Sequence, residues 1–172
     1  MKIIFFACLL LIGIGLLITV IGALLPRAHV VSRSAIYARK PAELFATISD
    51  IAASPSWRTG LMSIEVLPPR NGLVCFRENS RHGAITFVVR EDISPRKRVT
   101  QIADENLPFG GSWTYEIMPE SSGSRLRITE RGEIKNVLFR FFARFFLGYD
   151  GTINAYLRDL GKRFGETVTP FP

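Results

Sequence analysis

The longest apolar stretch of the chain runs from Ile3 to Leu25 without a charged residue and is followed by Pro26. As an α-helix, these residues would extend about 34 Å, and the hydrocarbon core of a bilayer is about 30 Å thick. The stretch is longer than the apolar region of a secretory signal peptide, and no small-residue cleavage site follows it. The pattern therefore predicts an uncleaved transmembrane anchor over residues 1–26, with a cleaved signal peptide as the alternative.

Residues 27–172 contain shorter apolar segments, most of them separated by turn-forming Gly, Pro, Asn and Ser. Short segments with alternating or continuous apolar positions are typical of β-strands, and turn residues of these types join antiparallel neighbours. Seven strands are predicted, at residues 29–37, 61–67, 72–79, 84–92, 98–104, 111–118 and 124–134. A short helix is predicted at residues 40–50, with Pro41 in its first turn. No repeat or long linker divides this region, so a single domain over residues 27–172 is expected.

The last segment has the period of an amphipathic helix and includes NVLFRFFARFFLGY, which places five phenylalanines in eight positions. On a helical wheel most of its apolar residues lie within about 60° of Phe142, and its basic residues lie nearly opposite. The pattern predicts one helix over residues 137–165, about 40 Å long. Exposing four phenylalanines to water would cost about 6–12 kcal/mol. The favoured interpretation is therefore a face buried against the sheet, with a membrane-dipping surface as the alternative.

Three stretches of the chain resemble the SRPBCC superfamily, which includes START, Bet v 1-like and polyketide cyclase or dehydratase-like proteins. KPAELFATISDIAASPSW at residues 40–57 resembles the first helical segment of that family, residues 91–134 resemble its last three strands, and YLRDLGKR at residues 156–163 resembles the end of its last helix. The resemblance spans most of residues 30–165. It implies an α+β helix-grip fold, in which a curved antiparallel sheet of about seven strands wraps around a long C-terminal helix and encloses an apolar cavity. One transmembrane helix precedes this domain in the predicted architecture.

The net charge of +7 makes anionic partners worth considering, but the arginines are scattered over different elements. Only Arg96, Lys97 and Arg98 form a run, which is poor support for nucleic-acid binding. No nucleic-acid partner is expected. The single apolar stretch predicts a single-pass membrane protein. Four basic residues follow the anchor and only Lys2 and the terminal amine precede it, so the positive-inside tendency favours a domain on the cytoplasmic side.

The chain has few residues that could hold a metal or a cofactor. His29 and His82 are its only histidines, and neither has a cysteine or a second histidine at ligand spacing. No phosphate-binding glycine motif and no nucleophile elbow occurs. We therefore expect neither a metal site nor a cofactor, and the sequence leaves open whether the protein is an enzyme.

Aromatic residues are the candidates for binding a hydrophobic ligand. A period of two places Trp113 and Tyr115 on one face of a strand and Phe87 on one face of another. Plain core packing is an equally good interpretation for the first two, and packing is favoured over a lid role for Trp57. The predicted ligand-binding residues are Trp57, Phe87, Trp113, Tyr115, Phe142, Phe145 and Tyr149.

An acidic residue, Glu130, shares the parity of the apolar Leu126 and Ile128 in the last predicted strand. A carboxylate pointing inward needs a partner, and Arg77 and Arg90 are the candidates. Paired in this way, Glu130 would orient a polar ligand head or act as a general acid or base. A bulge near Gly132 would instead turn it to solvent, which is the favoured interpretation. Glu130 and Tyr115 are the candidate catalytic residues.

The predicted function is membrane-anchored binding or transport of a lipid or other hydrophobic small molecule in an apolar cavity. One alternative is a metal-independent enzyme of the cyclase or dehydratase type, which rests on the family resemblance. The other is a protein-interaction module with a filled core, although the sequence identifies no protein partner. A cavity of about 300 Å³ or more would favour ligand binding over the filled core.

Overall fold

The computed structural model describes residues 2–172 and contains one long N-terminal helix, a seven-stranded sheet and three shorter helices. The helices are α1 Lys2–Leu24, α2 Pro41–Ser49, α3 Val137–Phe142 and α4 Gly151–Arg163. A 3₁₀ turn covers Ser54–Ser56, and a π-helical turn covers Ala143–Leu147. The strands are β1 Ala28–Tyr37, β2 Leu61–Arg70, β3 Leu73–Ser80, β4 Gly83–Ile93, β5 Lys97–Ile102, β6 Phe109–Glu120 and β7 Gly123–Ile134.

The sheet is antiparallel throughout, with the strand order β1-β7-β6-β5-β4-β3-β2. Strands β2 to β7 form a meander, and β1 pairs with β7 at its edge, with Ala28 opposite Glu133 and Tyr37 opposite Ser124. This register places the start of β1, the end of β7 and the start of β6 at the same pole of the domain, next to α1. The predicted seven-stranded helix-grip fold is confirmed.

Helix α4 packs its apolar face on the sheet. Ile153, Leu157 and Leu160 follow one another at helical spacing and are fully buried. They belong to one core cluster with residues of β1, β6 and β7, including Leu126. The hydroxyl of Tyr37 donates a hydrogen bond to the carbonyl oxygen of Leu157 over 2.9 Å, which ties the far end of β1 to the helix.

The prediction of one continuous helix over residues 137–165 is wrong. Helix α3 continues directly into the π-helical turn, but Gly148, with φ of 71° and ψ of 179°, redirects the chain before α4 begins. After it, Asp150 accepts hydrogen bonds from Arg33 Nε (3.0 Å) and Asn154 Nδ2 (3.1 Å), which hold the start of α4. The wheel calculated for a single axis therefore does not apply across Gly148.

The predicted burial of the phenylalanine-rich face is also wrong. Phe142 is 43% exposed, Phe145 56% and Phe146 71%, whereas the apolar residues of α4 are buried. Only the part of the stripe that follows the break packs against the sheet. For the phenylalanine-rich residues before the break, the membrane-dipping surface is the alternative that remains to be tested.

Helix α1 is long and apolar enough to span a membrane, with a mean hydropathy of 3.0 and none of its most apolar window covered by protein. Only its C-terminal end contacts the domain. Gly22 is buried there, and a Cβ at this position would overlap the backbone oxygen of Val137 in α3. The buried Arg140 donates from Nη1 to the carbonyl oxygen of Leu25 over 2.8 Å, and so caps the helix end with a positive charge.

Candidate functional site

A cavity of about 600 Å³ lies between the concave face of the sheet and the helices. Strands β1 and β3 to β7 supply most of its walls, and residues of α2, α3, the π-helical turn and α4 supply the rest. Most of the wall is aliphatic or aromatic, with Ile48, Phe76, Phe87, Ile102, Trp113 and Phe139 as examples. A space of this size exceeds the volume that the sequence interpretation required for ligand binding.

One polar cluster lies at the end of the cavity nearest α1 and is centred on Glu130. Its Oε2 accepts a hydrogen bond from Trp113 Nε1 over 2.8 Å, and its Oε1 lies 3.2 Å from His29 Nε2. The imidazole of His29 stacks on the ring of Tyr149, with the ring centres 4.2 Å apart and the planes 18° from parallel. All four residues line the cavity. When Glu130 is ionised it only accepts hydrogen bonds, so Nε2 of His29 carries the proton.

The glycine that follows in β7 makes room for this cluster. A Cβ on Gly132 would overlap the imidazole ring of His29. The β6–β7 pairing continues without a register shift from Glu130 through this residue, so the expected bulge is absent there and Glu130 keeps its inward parity. The solvent-facing interpretation of Glu130 is therefore wrong, since only 21% of its side chain is exposed and it borders the cavity.

The second polar cluster is an ion pair between Arg58, which follows the 3₁₀ turn, and Glu78 of β3. The guanidinium binds the carboxylate in a two-point arrangement, Nη1 to Oε1 and Nη2 to Oε2, the latter over 3.0 Å. The side chains are only 21% and 17% exposed, and Arg58 lies over the ring of Tyr156 at 5.3 Å from its centre. Burial lowers the pKa of Arg58, but the hydrogen bond and charge of Glu78 outweigh this effect and raise it, so the cation is retained.

Two tyrosines, Tyr115 and Tyr156, pack between these clusters. Their ring centres are 5.7 Å apart, and Trp113 lies 6.0 Å from Tyr115 and 5.9 Å from Tyr156. Burial raises the pKa of Tyr115 to about 12 and that of Tyr156 well above its ordinary value. The cavity therefore presents neutral phenols at physiological pH, which are proton donors rather than bases.

These tyrosines give a prediction for alkaline pH. The buried Tyr37 has a raised pKa as well, again chiefly through burial, so three of the four tyrosines favour their neutral form in the folded protein. Their stabilising effect is complete below the pKa of a free tyrosine, about 10, and is lost as the pH rises through their folded values. We expect phenolate absorbance to develop late in the native protein and near pH 10 in denaturant. Equal titration curves in both states would contradict this.

The predicted ligand-binding residues fall into three groups. Phe87, Trp113, Tyr115 and Tyr149 line the cavity, and their contact with a ligand stays a prediction. Trp57 packs edge-on against Tyr156, with ring centres 5.2 Å apart, and is not among the lining residues. The exposed Phe142 and Phe145 do not line the cavity either, because the face of their segment that borders it carries Phe139, Ala143 and Leu147 instead.

The partners that sequence reasoning assigned to Glu130 are wrong. Arg77 lies with the exposed Glu65, and Arg90 donates to Gln101. Sequence reasoning also missed His29, Arg58 and Glu78. The one available signal was parity, because Glu78 shares that of the buried Phe76 in β3. Within residues 2–172, no three side chains of His, Cys, Asp or Glu converge as a metal site would require.

Comparisons with known proteins cover most of the chain. The sequence profile of the family described as "Polyketide cyclase / dehydrase and lipid transport" matches residues 28–164. No match was found among curated proteins. Many solved structures share the fold. The three described below have low sequence identity to this chain.

Three of these structures illustrate the range. The di-domain aromatase/cyclase StfQ of the steffimycin biosynthetic pathway is 12% identical to this chain, with a TM-score of 0.64. The alignment covers 80% of this chain and 52% of StfQ, so the chain spans about half of that protein. A START superfamily protein from Mycobacterium smegmatis is 16% identical with a TM-score of 0.59, covering 78% and 96% of the two chains. Norcoclaurine synthase from Thalictrum flavum is 12% identical with a TM-score of 0.62, covering 81% and 87%. At these identities the likeness establishes the fold.

Proposed function

The chain belongs to the polyketide cyclase/dehydrase and lipid transport family, as its resemblance to the SRPBCC superfamily indicated, and from this premise we propose that it binds a lipid or other hydrophobic small molecule beside a membrane. The domain of residues 27–172 holds the molecule in its cavity, and residues 1–26 anchor the domain.

The observation that carries this proposal is the cavity itself. Its volume of about 600 Å³ lies within the range of small-molecule sites, and its walls are mainly apolar with a few polar groups. A protein-interaction module with a filled core would have no such space. Ligand binding is therefore favoured over that alternative.

The polar clusters favour an amphipathic ligand. The middle of the cavity offers Phe87, Ile102 and Trp113, which suit a hydrocarbon chain or ring system. The cluster at Glu130 offers carboxylate oxygens to a hydroxyl or amide donor of the ligand, and the guanidinium of Arg58 offers donors to an oxygen acceptor. Each buried polar group of the ligand would then find a partner.

The anchor is supported by its surface and by its contact with the domain. The apolar window of α1 is uncovered, unlike the core helix of a soluble protein. The fit of Gly22 against Val137, and the hydrogen bond from Arg140 to Leu25, join this helix to the folded domain, which favours a retained anchor over a cleaved signal peptide. The excess of basic residues after the helix favours a cytoplasmic domain.

Native mass spectrometry of the full-length protein purified from its own membrane, followed by lipid extraction, tests the function. We expect one hydrophobic molecule per protein, released on unfolding. A protein that is empty after mild purification, and that also takes up no lipid in a titration with total membrane extract, would contradict ligand binding.

A second candidate function is acid–base catalysis on the bound molecule. The specific observation in its favour is the histidine–carboxylate contact of His29 with Glu130 inside the cavity, because an imidazole and a carboxylate in contact can pass a proton to and from a bound molecule. The neutral phenol of Tyr115 would serve as a donor. Once a bound molecule is known, Glu130→Gln, which keeps one acceptor oxygen, should lower the conversion of this molecule far more than its affinity. Equal conversion by the parent protein and the Glu130→Gln variant would exclude a catalytic role of Glu130.

A further inference from the structure

An exposed apolar surface lies on α3 and the π-helical turn, and we call it the aromatic patch. Its members are Leu138, Phe139, Phe142, Phe145, Phe146 and Leu147. Each is 42% to 71% exposed. Six large apolar side chains exposed within ten consecutive positions form a patch of the kind that soluble monomers avoid unless it is a binding surface.

The position of the aromatic patch indicates what covers it. The patch begins directly after Val137, which contacts Gly22 in the last turn of α1. From Gly22 to the end of α1 is a rise of only about 3 Å, so α3 lies at the level where α1 leaves the hydrocarbon core. The uncovered surface of α1 and the aromatic patch thus meet at one place. A bilayer that surrounds α1 therefore also contacts the aromatic patch.

Exposed basic residues lie beside the aromatic patch. Arg27 follows α1, Lys135 precedes α3, and Arg144 lies within the π-helical turn. Among residues 2–172, neither Arg27 nor Arg144 forms an ion pair with a carboxylate. Phenylalanines flanked by arginine and lysine are the composition of a surface that binds the headgroup region of an anionic bilayer.

The aromatic patch is also a wall of the cavity. Phe139 and Leu147 are exposed members of the patch, and both line the cavity. Gly148, Gly151 and Thr152, at the break between the π-helical turn and α4, line it as well and are exposed. A single layer of side chains and a break in the helix therefore separate the cavity from the surface that adjoins α1.

We propose that the aromatic patch docks on the bilayer that holds α1, and that the cavity opens beside Phe139, Leu147 and Gly148 into this bilayer, so that a lipid of the same membrane enters without crossing water. The second half of the proposal rests on the proposed function, because it requires a ligand. The docking does not require a ligand and rests only on the proposed anchor.

Fluorescence quenching tests the docking. The full-length protein is placed in nanodiscs of phosphatidylcholine and phosphatidylglycerol that contain a lipid with a nitroxide near the start of its acyl chain. A tryptophan is introduced by Phe146→Trp or, as the matched control, by Ser122→Trp in the β6–β7 turn at the opposite pole. After subtraction of the signal of the parent protein, we expect at least about twofold stronger nitroxide quenching at position 146 than at position 122. Equal quenching, with iodide reaching both tryptophans from water, would overturn the docking.

Photo-crosslinking tests the route into the cavity. A phospholipid with a diazirine on its acyl chain is supplied either in nanodiscs or in detergent micelles, and crosslinked peptides of the protein are identified. The variant Leu138→Gln/Phe146→Gln changes two patch residues that do not line the cavity. We expect crosslinking to cavity strands β5 and β6 to fall about tenfold from nanodiscs and to stay unchanged from micelles.

The outcomes separate the two proposals. Parent-level crosslinking of the variant from nanodiscs would overturn the route through the aromatic patch. No cavity crosslink to the parent protein from either medium would overturn the proposed function and with it the route, whereas the quenching result would still decide the docking.

Discussion

Thr152→Trp is expected to lower retention of the bound molecule about tenfold or more, with little change in the melting temperature. Thr152 lines the cavity from the first turn of α4, one helical turn before Tyr156, and its side chain is exposed. An indole at this position would occupy the space between the π-helical turn and α4 that a ligand needs. Because the site is exposed, the larger side chain costs little folding energy. The measurement is ligand occupancy by native mass spectrometry, together with a thermal melt.

Ala155→Trp on the same helix is the matched control. Ala155 is also small and exposed, but it does not line the cavity, so its replacement should leave occupancy unchanged. If both variants retain the ligand like the parent protein, the molecule does not occupy this cavity. If both lose it, the effect comes from α4 in general rather than from the obstructed space.

Arg58→Met is expected to lower the free energy of unfolding by about 2–3 kcal/mol. Methionine replaces much of the apolar stem, but it leaves the carboxylate of Glu78, which is 17% exposed, without the two hydrogen bonds it accepts. Removing one partner of a buried ion pair lowers the free energy of unfolding more than removing both, because it leaves one buried charge without a partner. For a chain of this size the melting temperature should fall by about 5–10 °C.

Two further variants make the result for Arg58 specific. Arg58→Met/Glu78→Gln removes the uncompensated charge and should recover part of the loss. Arg77→Met breaks the neighbouring pair with Glu65, whose side chains are 41% and 54% exposed, and should cost less than about 0.5 kcal/mol. A loss at Arg58 no greater than that at Arg77 would show that the pair contributes little to the fold.

The strands could be predicted because their signal is local. Alternation in β7 placed Leu126, Ile128 and Glu130 on one face, and turn residues marked the ends of most strands. What alternation could not supply was the pairing. Trp113 lies directly opposite Glu130 in the β6–β7 register, and His29 opposite Gly132 in the β1–β7 register, so the partners of the carboxylate come from distant parts of the chain.

The phenylalanine-rich segment shows the limit of helical periodicity. A wheel assumes one straight axis, and a single glycine with positive φ at position 148 ends that axis. The residues after it kept their predicted burial, and those before it did not. Composition offered a hint, because Gly148 and Gly151 lie three positions apart within the predicted helix. For the Arg58–Glu78 pair, parity indicated only that Glu78 faces inward, and nothing in the sequence indicated its partner, because Arg58 lies in a loop.

The connection between α1 and β1 has a consequence for transfer between membranes. Only Leu25, Pro26 and Arg27 separate the two elements, a reach of about 10 Å when fully extended. The hydrogen bond from Arg140 to Leu25 fixes part of this connection to the domain and leaves even less free chain. In the proposed anchored arrangement, a domain held in this way cannot swing across an aqueous gap to a second membrane. A ligand that leaves the bilayer through the proposed cavity would then have to be collected by a diffusing carrier, or by an apposed membrane that comes into contact with the protein.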